Sequence, residues 1–279
     1  VVISIIALLM SILLPSLRKA KSQARKILCQ SRLRNWTSYF TMYQGDNDGH
    51  FLGGTTISSE GDYEAYEYPT GMCWLVALRP YYAPQAKGDT SKLGDVYKIA
   101  CCPEAEDYTS EIDESGNTVT GRGNTGVPGW AWGKLNGKFA DHAVGAYGSY
   151  GINTRATGPY VEGGHMWPAG SENWFNISQT RYDLNNIPVL TASSWHFTAQ
   201  ESDDSYIPDY NGQVLLESGQ TNVMHNRHDG FINGLFADMT VRQVGVKEVV
   251  RLKWNPQYDT ERNWDWSKWN WLSGFRDYD

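Results

Sequence analysis

Acidic side chains are absent from the first 45 residues, which nevertheless hold seven basic ones, Arg18, Lys19, Lys21, Arg25, Lys26, Arg32 and Arg34. Catalytic signatures are missing as well. There is no Gly-x-Ser-x-Gly nucleophile elbow, phosphate-binding loop or zinc-protease helix, so nothing in the chain announces an enzyme. Cysteine is scarce, with only four in 279 residues, and no Cys-x-x-Cys pair is present, which argues against a zinc framework. An overall basic excess is lacking too. The net charge of -7 argues against a nucleic-acid partner.

What is present divides the chain in two. Removing the +7 segment leaves 17 basic and 31 acidic residues in 46–279, a net charge of -14 on the remainder. A basic stem on an acidic body fits a membrane surface, nucleic acid at the stem, or a polymer in which stems of some subunits lie against bodies of others. The first 14 residues, VVISIIALLMSILL, are apolar apart from Ser4 and Ser11, whose hydroxyls can bond back to a carbonyl one turn earlier. A helix of that length reaches about 21 Å, short of an about 30 Å hydrocarbon core. The run opens without an initiating Met, so a preceding segment is expected. Cations follow the run instead of leading it, the reverse of a signal peptide.

Past Pro15, the residues Leu17, Ala20, Ala24, Ile27, Leu28, Trp36, Phe40 and Tyr43 recur mostly at three- and four-residue steps, with most cations between them. Gly45 and the Asp46-Asn47-Asp48-Gly49 turn end the pattern. Residues 1–44 therefore read as one long helix, about 65 Å if unbroken, with a kink or melted turn at Pro15. Beyond residue 45 the composition turns to Gly, β-branched and aromatic residues. Candidate strands are 95–101, 187–199, 212–217, 230–237 and 240–246, the last two closing as a hairpin through Asp238-Met239. Residues 104–128 and 155–180 read as irregular surface insertions. The expected fold is α+β: a long kinked N-terminal helix (1–45) packed on a β-rich globular head (46–279) with an antiparallel sheet and long loops.

The run VVISIIALLMSILLPSLRKAKSQARKILCQSRLRNW resembles the N-terminal helix of type IV pilins and type II secretion pseudopilins, especially large pseudopilin-like proteins. The segment Tyr43–Phe51, Cys102-Pro103, Ser149-Tyr150-Gly151-Ile152-Asn153, and Arg227-His228-Asp229-Gly230 followed by Asn233–Asp238 are also similar to segments of that family. Where the family more often has Gly-His after that last Asp, this chain has Met239-Thr240. The resemblance implies a filament subunit held in the inner membrane by its apolar helix, then moved into an extracellular or periplasmic filament. A prepilin peptidase, an inner-membrane platform and an assembly ATPase would be its partners, together with identical subunits. The contact side chains would be Val1, Ile3, Ile5, Ile6, Leu8, Leu9, Ile12 and Leu13, with Pro15 at the break. A minor tip pseudopilin, or a surface protein that binds glycans or secreted substrates, is the alternative.

Cys29, Cys73, Cys101 and Cys102 allow three pairings, with free buried thiols as the other reading. The resemblance favours Cys29 with Cys102, leaving Cys73 with Cys101. His225, His228 and Asp229 lie near one another as a weak metal candidate. Asp46 and Asp48 resemble half of a calcium loop that lacks its closing Glu, and Asp238 is a second weak calcium candidate. No other cofactor is expected. Trp264, Trp266, Trp269 and Trp271 would form two flat aromatic pairs if the tail were extended, facing its own body, another subunit or a glycan.

Overall fold

The computed structural model describes residues 2–47, 49, 51, 74–84, 98–105, 148–153, 155–156, 182–193, 197–198 and 223–278. Val1, Asp48, Cys73 and the candidate strand 212–217 lie outside the described residues, as do most of the insertions 104–128 and 155–180. The first element is a single helix, α1 (Val2–Asp46). Its composition of Leu, Ala, Ile, Lys, Arg and Gln favours helix, and no glycine interrupts it before Gly45. It runs through Pro15 without a melted turn. Nearby, the Ser11 hydroxyl donates to the Leu8 carbonyl and that of Ser16 to the Leu13 carbonyl, both within one turn. At the other end the Gly49 N–H donates to the Gln44 carbonyl (2.9 Å) with φ at +78°, and the Asn47 amide donates to the Tyr43 carbonyl (2.7 Å), so the last turn is closed by groups the turn itself supplies.

The helix buries one stripe only: Cys29, Leu33, Trp36, Phe40 and Tyr43, at alternating four- and three-residue steps. Leu17, Ala20, Ala24, Ile27 and Leu28, which the periodicity places on a core-facing stripe, are exposed, and Cys29 and Leu33 take the inner positions. Periodicity tells which residues share a face, but not how far along the helix a partner surface reaches. The stripe packs over β4 (Phe231–Phe236), β5 (Val241–Gly245) and the short helix α3 (Arg79–Tyr82), which follows α2 (Trp74–Ala77). Trp36 is the centre of this joint. Its ring meets those of Trp74, Tyr82 and Tyr39 edge-on at 4.7, 5.3 and 5.4 Å between centroids, and its indole N–H donates to the Ile99 carbonyl at 2.9 Å. Further along, Phe40 meets Phe51, and Tyr43 meets Tyr81.

Under the helix lies a sheet in the order β3-β1-β2-β4-β5, where β1 is Tyr150–Asn153, β2 Pro188–Ala192 and β3 Phe197–Thr198. The four strands β1, β2, β4 and β5 pair antiparallel, and β3 joins β1 in parallel at the edge. With one long helix on a largely antiparallel sheet, the α+β expectation holds. β1 and β2 are buried at every position, so neither shows the polar alternation that marks a half-exposed strand. In β1, Asn153 donates from its amide to the carbonyls of Pro188 and Trp254, both at 2.9 Å, and accepts the Arg155 N–H, which stitches the sheet to the C-terminal segment. The segment 98–100, expected as part of a strand, is a 3₁₀ turn whose carbonyls serve Trp36 and the Ser149 N–H instead of a sheet ladder.

The hairpin between β4 and β5 turns at Asp238-Met239 as its sequence implies. The Asp238 carboxylate accepts both the N–H and the hydroxyl of Thr240, and Met239 occupies the left-handed region at φ +65°. A side chain pays for that conformation and glycine does not. The C-terminal segment then wraps back over the hairpin. The Tyr278 ring covers Gly245 so closely that an added Cβ would collide with it, Phe275 covers Gly230, and Lys247 pairs with Asp277 at 2.7 Å.

Urea unfolding of the full chain tests these assignments. Met239→Gly should raise stability by about 0.5–1 kcal/mol, and Gly245→Ala should lower it by about 1–3 kcal/mol through overpacking on Tyr278. Trp36→Ala should cost about 3–5 kcal/mol.

Candidate functional site

Two features stand apart from ordinary packing. The first is the free half of α1. Residues 2–21 are all exposed, and Ser22, Arg25 and Lys26 are only partly covered ahead of Cys29, the first buried residue. Along the apolar run, exposure ranges from 47% at Ile6 to 83% at Ile3, with Ile5, Leu8, Leu9, Ile12 and Leu13 between, while Val1 lies outside the described residues. Such side chains follow one another without a polar stripe, so the rod is greasy on every side, as in helices that sit in a bilayer or at the centre of a bundle. The 14-residue estimate undercounts it. An 18-residue window, about 27 Å long, reaches a mean hydropathy of 1.8 with none of it buried, so that by length and composition α1 is sufficient to cross a membrane.

The basic side chains follow directly. Arg18, Lys19, Lys21 and Arg34 are exposed, and Lys26 is partly covered. Arg25 pairs with Glu104 of its own body at 3.0 Å, and Arg32 donates to the Cys101 carbonyl at 2.7 Å. One stem cation is thus paired with a carboxylate of the body at the joint and another with a backbone carbonyl.

The second feature lies where the stem enters the body. Cys29 on α1, Cys102 after the 98–100 turn and His228 ahead of β4 bring two sulfurs and a ring nitrogen within 4.8 Å of one another, all three residues buried. Cys102 Sγ lies 3.2 Å from His228 Nε2, and Cys29 Sγ lies 3.1 Å from the Tyr150 hydroxyl. The Cys102 N–H donates to the Ser149 hydroxyl. Arg227, equally buried, donates to the carbonyls of Ser149 (2.7 Å) and Ser193 (3.0 Å). Burial by itself would push the Cys102 thiol up, but hydrogen bonds with Cys29 and His228, together with the charges of His228 and Arg227, outweigh it and hold the thiol well below its ordinary value. Burial lowers the Arg227 guanidinium, against which Cys102 acts as the counter-charge. Burial, and then the neighbouring sulfurs, raise the Tyr150 phenol well above its ordinary value.

Cys29 and Cys102, the pair favoured by resemblance, carry free thiols here, and their sulfurs lie within 4.8 Å of one another without a bond. The suggested partner of Cys101, Cys73, lies outside the described residues. His225, His228 and Asp229, weighed as a weak metal candidate, do not come together as a triad. His225 is buried elsewhere, Asp229 points to solvent from a left-handed backbone, and only His228 reaches the thiols. Among the described residues, Cys29, Cys102 and His228 are the one grouping of three potential ligands. Asp46 accepts the Tyr81 hydroxyl at 3.0 Å and Asp238 serves its own turn, so each is used locally. Sequence reasoning missed the roles of Ser149, Tyr150, Arg227 and His228 around the thiols. The signal for them was the set of short segments around Cys102, Ser149 and Arg227, which are distant in the chain and converge only in the fold.

The tryptophan tail is not extended. It forms 3₁₀ turns at Trp266–Lys268 and Asn270–Leu272 that place Trp264 in the core and leave Trp266, Trp269 and Trp271 half-buried. Trp264 and Trp266 stack at 5.9 Å, Trp266 meets Trp269 edge-on, and Lys247 lies over the Trp266 ring. The flat two-sided platform of an extended strand is replaced by a cluster folded against the body.

Arg227→Met removes two hydrogen bonds from a buried charged donor and should lower stability by more than about 2 kcal/mol, whereas Arg25→Ala, at a half-exposed pair, should cost under about 1 kcal/mol. Thermal or urea unfolding of both variants checks the ordering. Comparison with protein-family models, with curated proteins and with solved structures finds no match for this chain.

Proposed function

We propose that the chain is a structural subunit that polymerises through its N-terminal helix into a pilus- or pseudopilus-like filament, with the apolar runs bundled at the centre and the acidic bodies outside. The observation that carries this reading is the rod itself: an apolar surface exposed over residues 2–14 of a helix whose later turns, from Cys29 on, are clamped into a folded body. Each large aliphatic side chain along it is stabilised by about 1.5–3 kcal/mol when removed from water, so a free rod in solvent is strongly driven to find apolar company. A bilayer supplies that company before assembly, and copies of the same helix supply it afterwards. A contact of this kind, head to tail along an axis and not closing on itself, propagates.

Charge supports the same arrangement. The exposed cations Arg18, Lys19 and Lys21 lie just past the apolar run, at the level where neighbouring bodies of net charge -14 would surround them. The Arg25–Glu104 pair is an intramolecular instance of that contact.

Electron microscopy of material assembled from the processed full chain tests the proposal. Leu9→Lys should abolish filaments while leaving the body folded, as judged by circular dichroism; filaments of normal appearance from this variant would overturn the bundle. Filament mass should also fall as ionic strength rises from about 0.01 M to about 1 M, where the screening length shrinks from about 30 Å to about 3 Å. An unchanged yield would remove the role of the basic stem.

A further inference from the structure

We infer that Cys29, Cys102 and His228 form a binding site for a single soft monovalent cation, copper(I), which would pin the stem helix to the body at the point where the helix emerges. The three ligands come from three separate stretches of chain, and Cys29 is the first residue of α1 to be buried. An ion held there links the stem, the segment after the 98–100 turn and the loop ahead of β4.

The donor set selects the ion. Sulfur and ring nitrogen around one metal, at about 2.3 and about 2.0 Å, sit roughly 3.5–4 Å from one another. The observed separations, 3.2 Å between Cys102 Sγ and His228 Nε2 and none above 4.8 Å in the trio, are close to that spacing. A structural zinc site closes with four ligands. Among the described residues, no fourth Cys, His, Asp or Glu joins this group. Three donors, two of them thiolates, in a pocket sealed from solvent suit the soft three-coordinate ion better, since thiolates favour copper(I). Charge agrees. Two thiolates and a monovalent ion leave one negative charge, which the buried Arg227 guanidinium next to Cys102 offsets. Both sulfurs bind as thiolates, any proton they carry passes to solvent, and copper stays in its +1 state throughout.

The test uses the full chain in detergent micelles, reduced and free of oxygen. Copper(I) is supplied as its acetonitrile complex against a chromogenic copper(I) chelator. The wild type should retain one copper per chain against the chelator, melt at a higher temperature with copper than without it, and give an X-ray absorption spectrum of two sulfurs and one nitrogen around copper. Cys102→Ser and His228→Gln should weaken retention by more than the about 10–100-fold that loss of an outer-shell partner costs, whereas Cys101→Ser should bind as the wild type does. The spectrum of the wild type decides the matter independently if a variant fails to fold. Failure of the reduced wild type to retain copper would overturn the site, as would a first shell lacking nitrogen. Tighter binding of zinc(II) than of copper(I) would overturn the choice of ion. Retention lost in Cys101→Ser would move the site elsewhere.

Discussion

Everything in this molecule depends on a stripe of five side chains, Cys29, Leu33, Trp36, Phe40 and Tyr43, by which one face of a 45-residue helix is sealed onto the sheet and its neighbouring aromatic rings. The stripe is long enough to hold the helix and short enough to leave more than half of it bare. Had it continued through Ile27 and Leu17, the helix would have been an internal core element and the chain would carry no outward apolar surface. The body ends at Cys29, and the exposed rod begins there. Aromatic residues hold the clamped turns from Trp36 to Tyr43, where broad edge-to-face rings resist rotation of a helix whose free lever is about 40 Å long better than small aliphatic contacts would.

Directly beneath the last clamped turn lies the polar centre of an otherwise apolar interior. Arg227 is buried among carbonyls, and beside it lies the Cys102 thiol, which the neighbouring hydrogen bonds and charges hold well below its ordinary value. In low dielectric such a group of charges is worth keeping only if every member is answered, which ties the position of α1 to that of the loop before β4. The stem is thus attached to the body twice: by the aromatic joint toward Tyr43, and by the sulfur and imidazole contacts at Cys29. The two attachments sit on the same helical stripe, one at each end, so the direction in which the rod leaves the body is set by both.

The free rod and the charged body answer different physical demands. An all-round apolar helix has no favourable state in water and needs a bilayer or other helices, while in the proposed filament the excess negative charge would keep bodies apart except where stem cations lay between them. Filament assembly satisfies both demands with one geometry, which is why the proposed function rests on the architecture and not on any single side chain.

The α1 helix, its end near Gly45, the hairpin at Asp238-Met239 and the strands flanking it were legible from composition and local pattern, because helix propensity, turn chemistry and an exposed hydrophobic run are properties of neighbouring residues. The strand β1 was not, since all of its residues are buried and it shows no alternation, and the segment 98–100 was misread because its carbonyls are claimed by Trp36 and Ser149, partners far away in the chain. Which apolar residues of α1 face the body was decided by where the body stops, a matter the helical period cannot express. The grouping of Cys29, Cys102 and His228, in place of the adjacent His225, His228 and Asp229, was likewise decided by tertiary structure: donors that share a site must converge in space, and only the packing of α1 against the sheet brings these three together.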